Sequence, residues 1–160
     1  MISQAVDLIQ HSADARQITI EMKAAKVDLN CDEERIIRVL TNLIANAVKF
    51  SPDNSKIVVS TTPVGNEILF EVQDQGRGMP AGEQDKIFER YHQVDSSDEA
   101  EKKGSGLGLT ICKALIEAHR GTIGATSKEG EGSTFWFRIP LGCEKPPSAA
   151  DAHQSVSSLT

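Results

Sequence analysis

The chain has 160 residues, a formal net charge of −6 and a pI near 5.2, with 39% hydrophobic and 25% charged residues. This length and composition fit one soluble globular domain with its own core. The acidic balance argues against broad contact with nucleic acid or anionic membrane, because such partners require a basic face. A small phosphorylated ligand stays possible, since it needs positive potential at one place only.

The cysteines and the hydropathy pattern indicate the cellular compartment of the protein. Cys31, Cys112 and Cys143 are far apart and form no C-x-x-C pair, which argues against a zinc site or a disulfide framework. No apolar run approaches the roughly 20 residues needed to cross a bilayer, and the N-terminus does not resemble a signal peptide. A cytoplasmic location is therefore expected.

The first 50 residues are predicted to form a helix, strands and a second helix. Apolar residues at helical spacing predict a helix over 2–14. The alternating residues of 17–30 predict two short strands. A second helix is predicted over 32–48, with Asp32 at its N-terminus and acidic residues in its first turn, where they suit the helix dipole.

The remaining elements are predicted in the order strand, strand, helix, helix, strand, strand. They are placed at 56–62, 67–74, 83–89, 106–119, 122–127 and 133–140.

Three features accompany these later elements. The helix over 106–119 is expected to bury a stripe of Leu107, Ile111, Leu115 and Ala118 and to end at Gly121. Residues 92–105 form a polar connection without periodicity. The length of this connection is typical of functional or mobile loops. From Gly142 the composition shifts to Pro, Ser and Ala, which predicts a disordered tail over 142–160.

The second helix carries asparagines where they are unfavourable. Asn42, Asn46 and Lys49 follow one another at helical spacing beside the apolar stripe, although asparagine competes for backbone hydrogen bonds inside helices. These residues form either a solvated face or a row in which an amide oxygen ligates Mg²⁺ and an ammonium group holds phosphate.

A carboxylate follows an apolar row at the end of the strand 67–74. The two-residue period places Asp74 on the same face as Phe70 and Val72. Asp74 either begins a turn or accepts a hydrogen bond from an exocyclic amine such as that of adenine. Gly76 and Gly78 would let the chain pass close to a flat ring.

Alternating glycines precede the helix over 106–119. Gly104, Gly106 and Gly108 have neither the Walker pattern nor the spacing of a dinucleotide fingerprint. They either end a flexible loop or leave room for an anion at a helix N-terminus, where free N–H groups and the dipole favour negative charge.

Taken in order, five segments resemble the N, first glycine, F, second glycine and final glycine boxes of the catalytic ATP-binding domain of sensor histidine kinases. They are RVLTNLIANAVKFS (38–51), DQGRGMP (74–80), IFERYHQVD (87–95), GSGLGL (104–109) and GEGSTFWFRIPL (130–141). The resemblance covers residues 16–141 and implies an α+β two-layer sandwich. In this fold a mixed, mostly antiparallel sheet is covered on one face by three helices, with a lid over ATP.

The resemblance also implies roles for individual residues. Asn46 would ligate Mg²⁺ with support from Asn42, Lys49 would contact phosphate, and Phe50 would lie near the adenine. Asp74 would accept the adenine amino hydrogen, with Gly76 and Gly78 shaping that wall. Gly104, Gly106, Gly108 and the N–H of Leu107 would hold the phosphates. Many relatives have an arginine in place of Gln93. Arg90 would either supply this charge instead or form a structural salt bridge.

The phosphorylated histidine of these kinases lies on a preceding helix, before an acidic residue and a proline. None of the four histidines has this setting, so all four are expected to be ordinary surface residues: His11, His92, His119 and His153. Residues 1–15 are interpreted as the connector from a missing dimerisation module, and the chain as part of a larger kinase, which could be anchored to a membrane.

The resemblance implies a function and partners. The chain would be a monomeric domain that binds ATP and Mg²⁺ and donates the γ-phosphate to a histidine on the dimerisation module, with a response regulator receiver domain downstream. The alternatives are another ATPase of the superfamily, an anti-sigma serine kinase, or a regulatory module that binds nucleotide without catalysis.

Overall fold

The structure, a computed structural model, describes residues 1–27, 29–80, 82–89 and 107–142. Its helices and strands are α1 (Ile2–Asp14), β1 (Thr19–Ala24), α2 (Glu33–Phe50), β2 (Lys56–Val64), β3 (Glu67–Asp74), α3 (Gly108–Ala118), β4 (Thr122–Ser127) and β5 (Ser133–Pro140). A single 3-10 turn at Lys86–Phe88 replaces the short helix predicted over 83–89. In these ranges no helix is both long enough and apolar enough to cross a membrane.

The five strands form one sheet in the order β1-β2-β3-β5-β4. β1 pairs with β2 in parallel, and the other three pairings are antiparallel. The mixed, mostly antiparallel sheet implied by the resemblance is confirmed.

The core lies between one face of this sheet and the helices. Residues alternate between buried and partly exposed along β2, β3 and β5, as expected for a sheet covered on one side. On the covered face Phe70 stacks on Phe137 across the β3–β5 pair, with ring centroids 4.6 Å apart. Phe88, from the 3-10 turn, contacts Phe135 edge to face and so places the segment before residue 90 against the sheet.

The prediction for α2 is confirmed, with two more residues at the C-terminal end. Asp32 is the N-cap, and its side chain accepts a hydrogen bond from the backbone N–H of Arg35. One face of α2 is fully buried, including Ile36, Leu40 and Leu43. The polar row lies beside this buried face, and Asn42, Asn46 and Lys49 are partly exposed.

Helix α1 packs its apolar face into the same core. Ile2, Ala5, Val6 and Ala13 are buried, and α1 contacts α2 and β1. The division of the chain into residues 1–15, 16–141 and 142–160 stays a prediction, and residues 143–160 lie outside the described ranges.

One of the two strands predicted over 17–30 is absent from the described residues of that segment. β1 ends at Ala24, where the next backbone N–H, of Ala25, donates to the Thr61 hydroxyl at 2.9 Å and leaves the ladder. Val27 and Leu29 still pack against the core as partly buried residues, but from irregular backbone. The apolar spacing of Val27 and Leu29 therefore reflects burial and not strand structure.

The stripe predicted for α3 is wrong at Ile111 and Ala118, while Leu115 packs against the core as a partly buried residue. The buried residues are Cys112, Ile116 and His119, whereas Ile111 is 37% exposed and Ala118 is also exposed. Both stripes have helical spacing, and packing against α2 and β4 selects the one that contains histidine. The end of α3 also differs from the prediction: Arg120 takes the left-handed conformation (φ 56°), not Gly121.

His119 is a buried residue, contrary to the expectation of a surface histidine. Its side chain is fully buried, the N–H of Asp32 donates to Nε2 at 3.2 Å, and Nδ1 lies 2.7 Å from the Leu115 carbonyl oxygen. Because a backbone N–H can only donate, Nε2 is the acceptor and Nδ1 carries the proton. His119 thus joins the end of α3 to the N-cap of α2.

Replacing this imidazole is expected to lower stability strongly. His119→Ala removes buried volume and leaves the Asp32 N–H without its acceptor, so the free energy of unfolding should fall by about 2–4 kcal/mol. Denaturant unfolding followed by circular dichroism measures this. The matched control is His11→Ala on the exposed face of α1, for which a change within about 0.5 kcal/mol is expected. Equal effects of the two changes would contradict the structural role of His119.

Candidate nucleotide-binding site

The predicted asparagine row of α2 lies against the first turn of α3. The Asn46 side chain donates through Nδ2 to Asn42 Oδ1 at 3.4 Å. A Cβ on Gly108 would lie 2.7 Å from Asn42 Nδ2, so the amide group packs directly on the α-carbon of this glycine. The N box and the second glycine box therefore meet in space, and a Cβ at this position would displace the Asn42 side chain.

The start of α3 has no side-chain cap in the described residues. Leu107 is the N-cap, and its side chain makes no capping hydrogen bond to the first turn of Gly108, Leu109 and Thr110. A helix begun in this way presents backbone donors and the positive end of its dipole. Together with the Asn42 amide, these donors line one end of the site.

Two cationic side chains lie against Phe50 at the other end of α2. Lys49 Nζ is 5.0 Å from the centroid of the Phe50 ring, and the Arg77 guanidinium carbon is 5.6 Å from it. Phe50 is 37% exposed despite its size. An aromatic ring that is accessible and flanked by positive charge can receive a planar base with phosphates nearby.

Asp74 ends β3 as a buried residue, 5% exposed. Its Oδ1 accepts from the backbone N–H of Gly76 at 2.8 Å and from that of Ser133 at 3.1 Å. Both of these hydrogen bonds reach one oxygen, and in the described part of the chain Oδ2 accepts none. Burial raises the pKa of Asp74, and the two backbone hydrogen bonds oppose this rise.

The glycines around Asp74 are required for close backbone packing. A Cβ on Gly76 would lie 2.8 Å from the Phe50 carbonyl oxygen and 2.9 Å from Asp74 Oδ1. Gly132, at φ +88°, packs on the Asp74 carbonyl. Gly78, at φ +68°, packs on the carbonyl of Lys128, so its contact is with the β4–β5 turn. This cluster fixes the Asp74 carboxylate beside the end of α2.

Helix α2 connects the two ends of the site. Asn42 contacts Gly108, and eight residues later Phe50 contacts Gly76. At 1.5 Å per residue these two points are about 12 Å apart along the helix. Helix α2 therefore contacts the start of α3 at one point and the Asp74 turn at the other.

Sequence reasoning missed several residues of this site. Arg77 lies in the first glycine box, and Gly132 and Ser133 lie in the final glycine box. These motifs are the available signal, but they assign no role to the three residues. Gly104, Gly106 and Arg90 lie outside the described residues, as does Gln93.

Comparison with known proteins identifies the family. A family model described as histidine kinase-, DNA gyrase B-, and HSP90-like ATPase matches residues 31–142. The chain belongs to this family. The match includes α2, the Asp74 turn, α3 and the last two strands, which together carry the site residues described above.

Three relatives of this chain that were compared individually are histidine kinases. CikA, the circadian input-output histidine kinase of Thermosynechococcus vestitus, is 39% identical over 109 residues, or 68% of this chain and 15% of CikA. The catalytic domain of histidine kinase ThkA has a TM-score of 0.75 at 28% identity, with 91% of each chain covered. A structure of ThkA in complex with response regulator protein TrrA gives 0.72 and 26%, over 88% of this chain and 39% of that one.

A third relative was solved with a nucleotide analogue. Full-length ShkA in complex with AMPPNP has a TM-score of 0.77 at 29% identity, over 93% of this chain and 31% of that one. The chain therefore has the sequence and fold of a histidine kinase catalytic domain, and it spans 15% of the length of CikA.

Proposed function

We propose that this domain binds ATP with Mg²⁺ along α2 and donates the γ-phosphate to a histidine on a separate dimerisation module of a two-component sensor kinase. The observation that carries the proposal is the pair of contacts made by α2, through Asn42 to Gly108 and through Phe50 to Gly76. These contacts support a single site with a phosphate end at the start of α3 and a base end at Asp74.

At the base end, Asp74 Oδ2 accepts the exocyclic amino hydrogen of adenine. Because Oδ1 is already occupied by two backbone N–H groups, the carboxylate has one fixed orientation. Guanine presents a carbonyl oxygen at the equivalent position of its ring, which a carboxylate repels. Phe50 contacts the base. The packing of Gly76 against the Phe50 carbonyl sets the distance between Phe50 and the Asp74 carboxylate.

At the phosphate end, the donor set fits one metal ion bound mainly through nucleotide oxygens. Asn46 Nδ2 donates to Asn42, so Asn46 Oδ1 remains available as a hard oxygen ligand for the metal. The described residues contain no group of three His, Cys, Asp or Glu able to hold a metal by themselves. Mg²⁺ typically takes one or two protein oxygens together with substrate phosphates, and when bound it neutralises charge that develops on them.

The chain itself contributes positioning and charge, which is most of what phosphoryl transfer requires. Lys49, beside Phe50, and the first-turn N–H groups of α3, beside Asn42, balance phosphate charge from the two ends of the site. Asn42 holds Asn46 and the α3 start together. Gly104, Gly106, the Leu107 N–H and Arg90 are proposed to complete this end.

The acceptor histidine is proposed to lie on another module. His119 cannot serve, since it is fully buried with both ring nitrogens facing backbone partners. His11 is exposed on α1, but Ser12 follows it directly and the next proline is Pro52, so the setting of the phosphorylated histidine is missing. A response regulator receiver domain is the proposed next acceptor, in keeping with the ThkA complex. The relatives reported above are histidine kinases, so a gyrase-like ATPase or a serine kinase is not favoured.

Nucleotide selectivity tests the base end. Isothermal titration calorimetry of the 160-residue chain with Mg²⁺ is expected to give an ATP dissociation constant between about 1 μM and 1 mM, with GTP at least about tenfold weaker. Equal affinity for the two nucleotides, or no binding, would contradict the proposed function.

Phosphate transfer separates the kinase from a binding-only module. Incubated alone with γ-labelled ATP, the chain is expected to acquire no acid-labile phosphate. Adding the dimerisation module of the parent kinase as a second protein should place label on that module. A module that remains unlabelled while ATP binds would favour the regulatory alternative, and label on the chain itself would contradict the assigned acceptor.

A further inference from the structure

One arginine outside the predicted site holds the part of α2 that carries Lys49 and Phe50. Arg16 follows α1, at the corner before β1, and its guanidinium reaches the last turn of α2. Arg16 Nη1 donates to the carbonyl oxygen of Val48 and, at 3.2 Å, to that of Lys49. Nη2 donates to the carbonyl oxygen of Ser51 at 2.8 Å.

Two of these hydrogen bonds reach the Val48 and Lys49 carbonyl groups, which lie in the last turn of α2 and have no intrahelical partner. The last four carbonyl groups of a helix have no N–H within the helix, and the negative end of the dipole lies there. The guanidinium fork supplies several donors in a fixed plane, which a single ammonium group cannot do. Asp53, on the following loop, accepts from Arg16 Nε at 2.8 Å and orients the fork.

The one carbonyl group of residues 48–51 that does not bond to Arg16 is that of Phe50, and it faces the base end of the site. In residues 48–51, three carbonyl groups point to Arg16, and that of Phe50 packs against Gly76 beside Asp74. With all four directions fixed, the Lys49 and Phe50 side chains leave the backbone at set angles. Any rotation of this turn would move both side chains relative to Asp74.

We propose that Arg16 is a positioning residue of the nucleotide site, which sets the orientation of Lys49 and Phe50 without contacting the nucleotide. This inference rests on the proposed function, since it assigns Arg16 to the same site. It predicts that Arg16 affects nucleotide affinity more than its contribution to folding alone would require.

The test compares two arginines of equal exposure at opposite ends of α2. Arg16 and Arg35 have side chains that are each 29% exposed and each pairs with an aspartate. Arg16→Gln is expected to weaken Mg-ATP binding to the 160-residue chain about tenfold in calorimetry, and Arg16→Lys by a smaller factor, because it keeps charge but loses the fork. Arg35→Gln is expected to stay within about twofold of the original affinity, whatever its melting temperature.

Amide chemical shifts in the nucleotide-free chain provide a second readout. Arg16→Gln, or Arg16→Lys if the former does not fold, is expected to shift the Lys49 and Phe50 amide resonances while those of β4 stay unchanged. Unchanged resonances, unchanged affinity of the Arg16 variants, or an equal loss in Arg35→Gln would each overturn the proposal. If the original chain binds no ATP, the proposed function fails, and the shifts still decide whether Arg16 positions this turn.

Discussion

Asp74→Asn is expected to lower ATP affinity by about a hundredfold or more without lowering stability at neutral pH. The amide keeps an oxygen for the Gly76 and Ser133 N–H groups but presents an NH₂ group where the adenine amine must donate. Two donors then face each other in a buried site, which costs more than the loss of one hydrogen bond. Calorimetric titration with Mg-ATP and denaturant unfolding of the same samples measure both parts.

The pH dependence of stability provides a further check on this variant. Burial raises the folded-state pKa of Asp74 above the ordinary value of 3.8, so the folded state binds more protons than the unfolded state in the interval between the two pKa values. The free energy of unfolding therefore falls, through this group, as pH rises from near 3.8 through the folded-state pKa. Asp74→Asn should remove that fall.

Glu71→Gln is the matched control for Asp74→Asn. It makes the same carboxylate-to-amide change on the same strand but on the opposite face of the sheet, where Glu71 is partly exposed. Affinity for ATP is expected to stay within about twofold. A comparable loss of affinity in the control, or normal affinity in Asp74→Asn, would contradict base recognition by Asp74.

Asn46→Ala is expected to abolish the advantage that Mg²⁺ gives to ATP binding and to slow phosphate transfer by about a hundredfold or more. The variant loses the proposed metal ligand and the hydrogen bond to Asn42 at 3.4 Å, while alanine favours the helix. Titrations with and without Mg²⁺, and labelling of the separate dimerisation module, measure the two effects.

Asn30→Ala is the control for Asn46→Ala. Asn30 is exposed and precedes α2, so removing its amide should change neither measurement. If Asn46→Ala bound Mg-ATP as tightly as the original chain, the proposed role of Asn46 as a metal ligand would be contradicted. The base-end predictions for Asp74 would remain separately testable.

Most of the fold could be predicted from local pattern and capping residues. Asp32 marked the start of α2 because an aspartate side chain satisfies first-turn N–H groups, and the alternation in β3 correctly placed Asp74 on the covered face. The buried stripe of α3 could not be predicted in this way. Its sequence offers two apolar stripes at helical spacing, and only tertiary packing buries Cys112, Ile116 and His119.

The candidate site was predictable where one motif carries its chemistry and unpredictable where distant segments meet. The asparagine row, Asp74 and the glycines stand out because their residue types are unfavourable in a simple helix or strand. Arg16 gives no such signal, since it is 32 residues away from the first carbonyl that it holds. Its relation to Lys49 exists only once α1 has packed beside α2.

The most direct test of the central claim is a crystal structure of the chain with Mg²⁺ and a non-hydrolysable ATP analogue. The predicted result has the adenine amine donating to Asp74 Oδ2, the metal ligated by Asn46 Oδ1 and the phosphates at the start of α3 beside Asn42. A nucleotide bound on another surface, or a metal held without Asn46, would contradict the account.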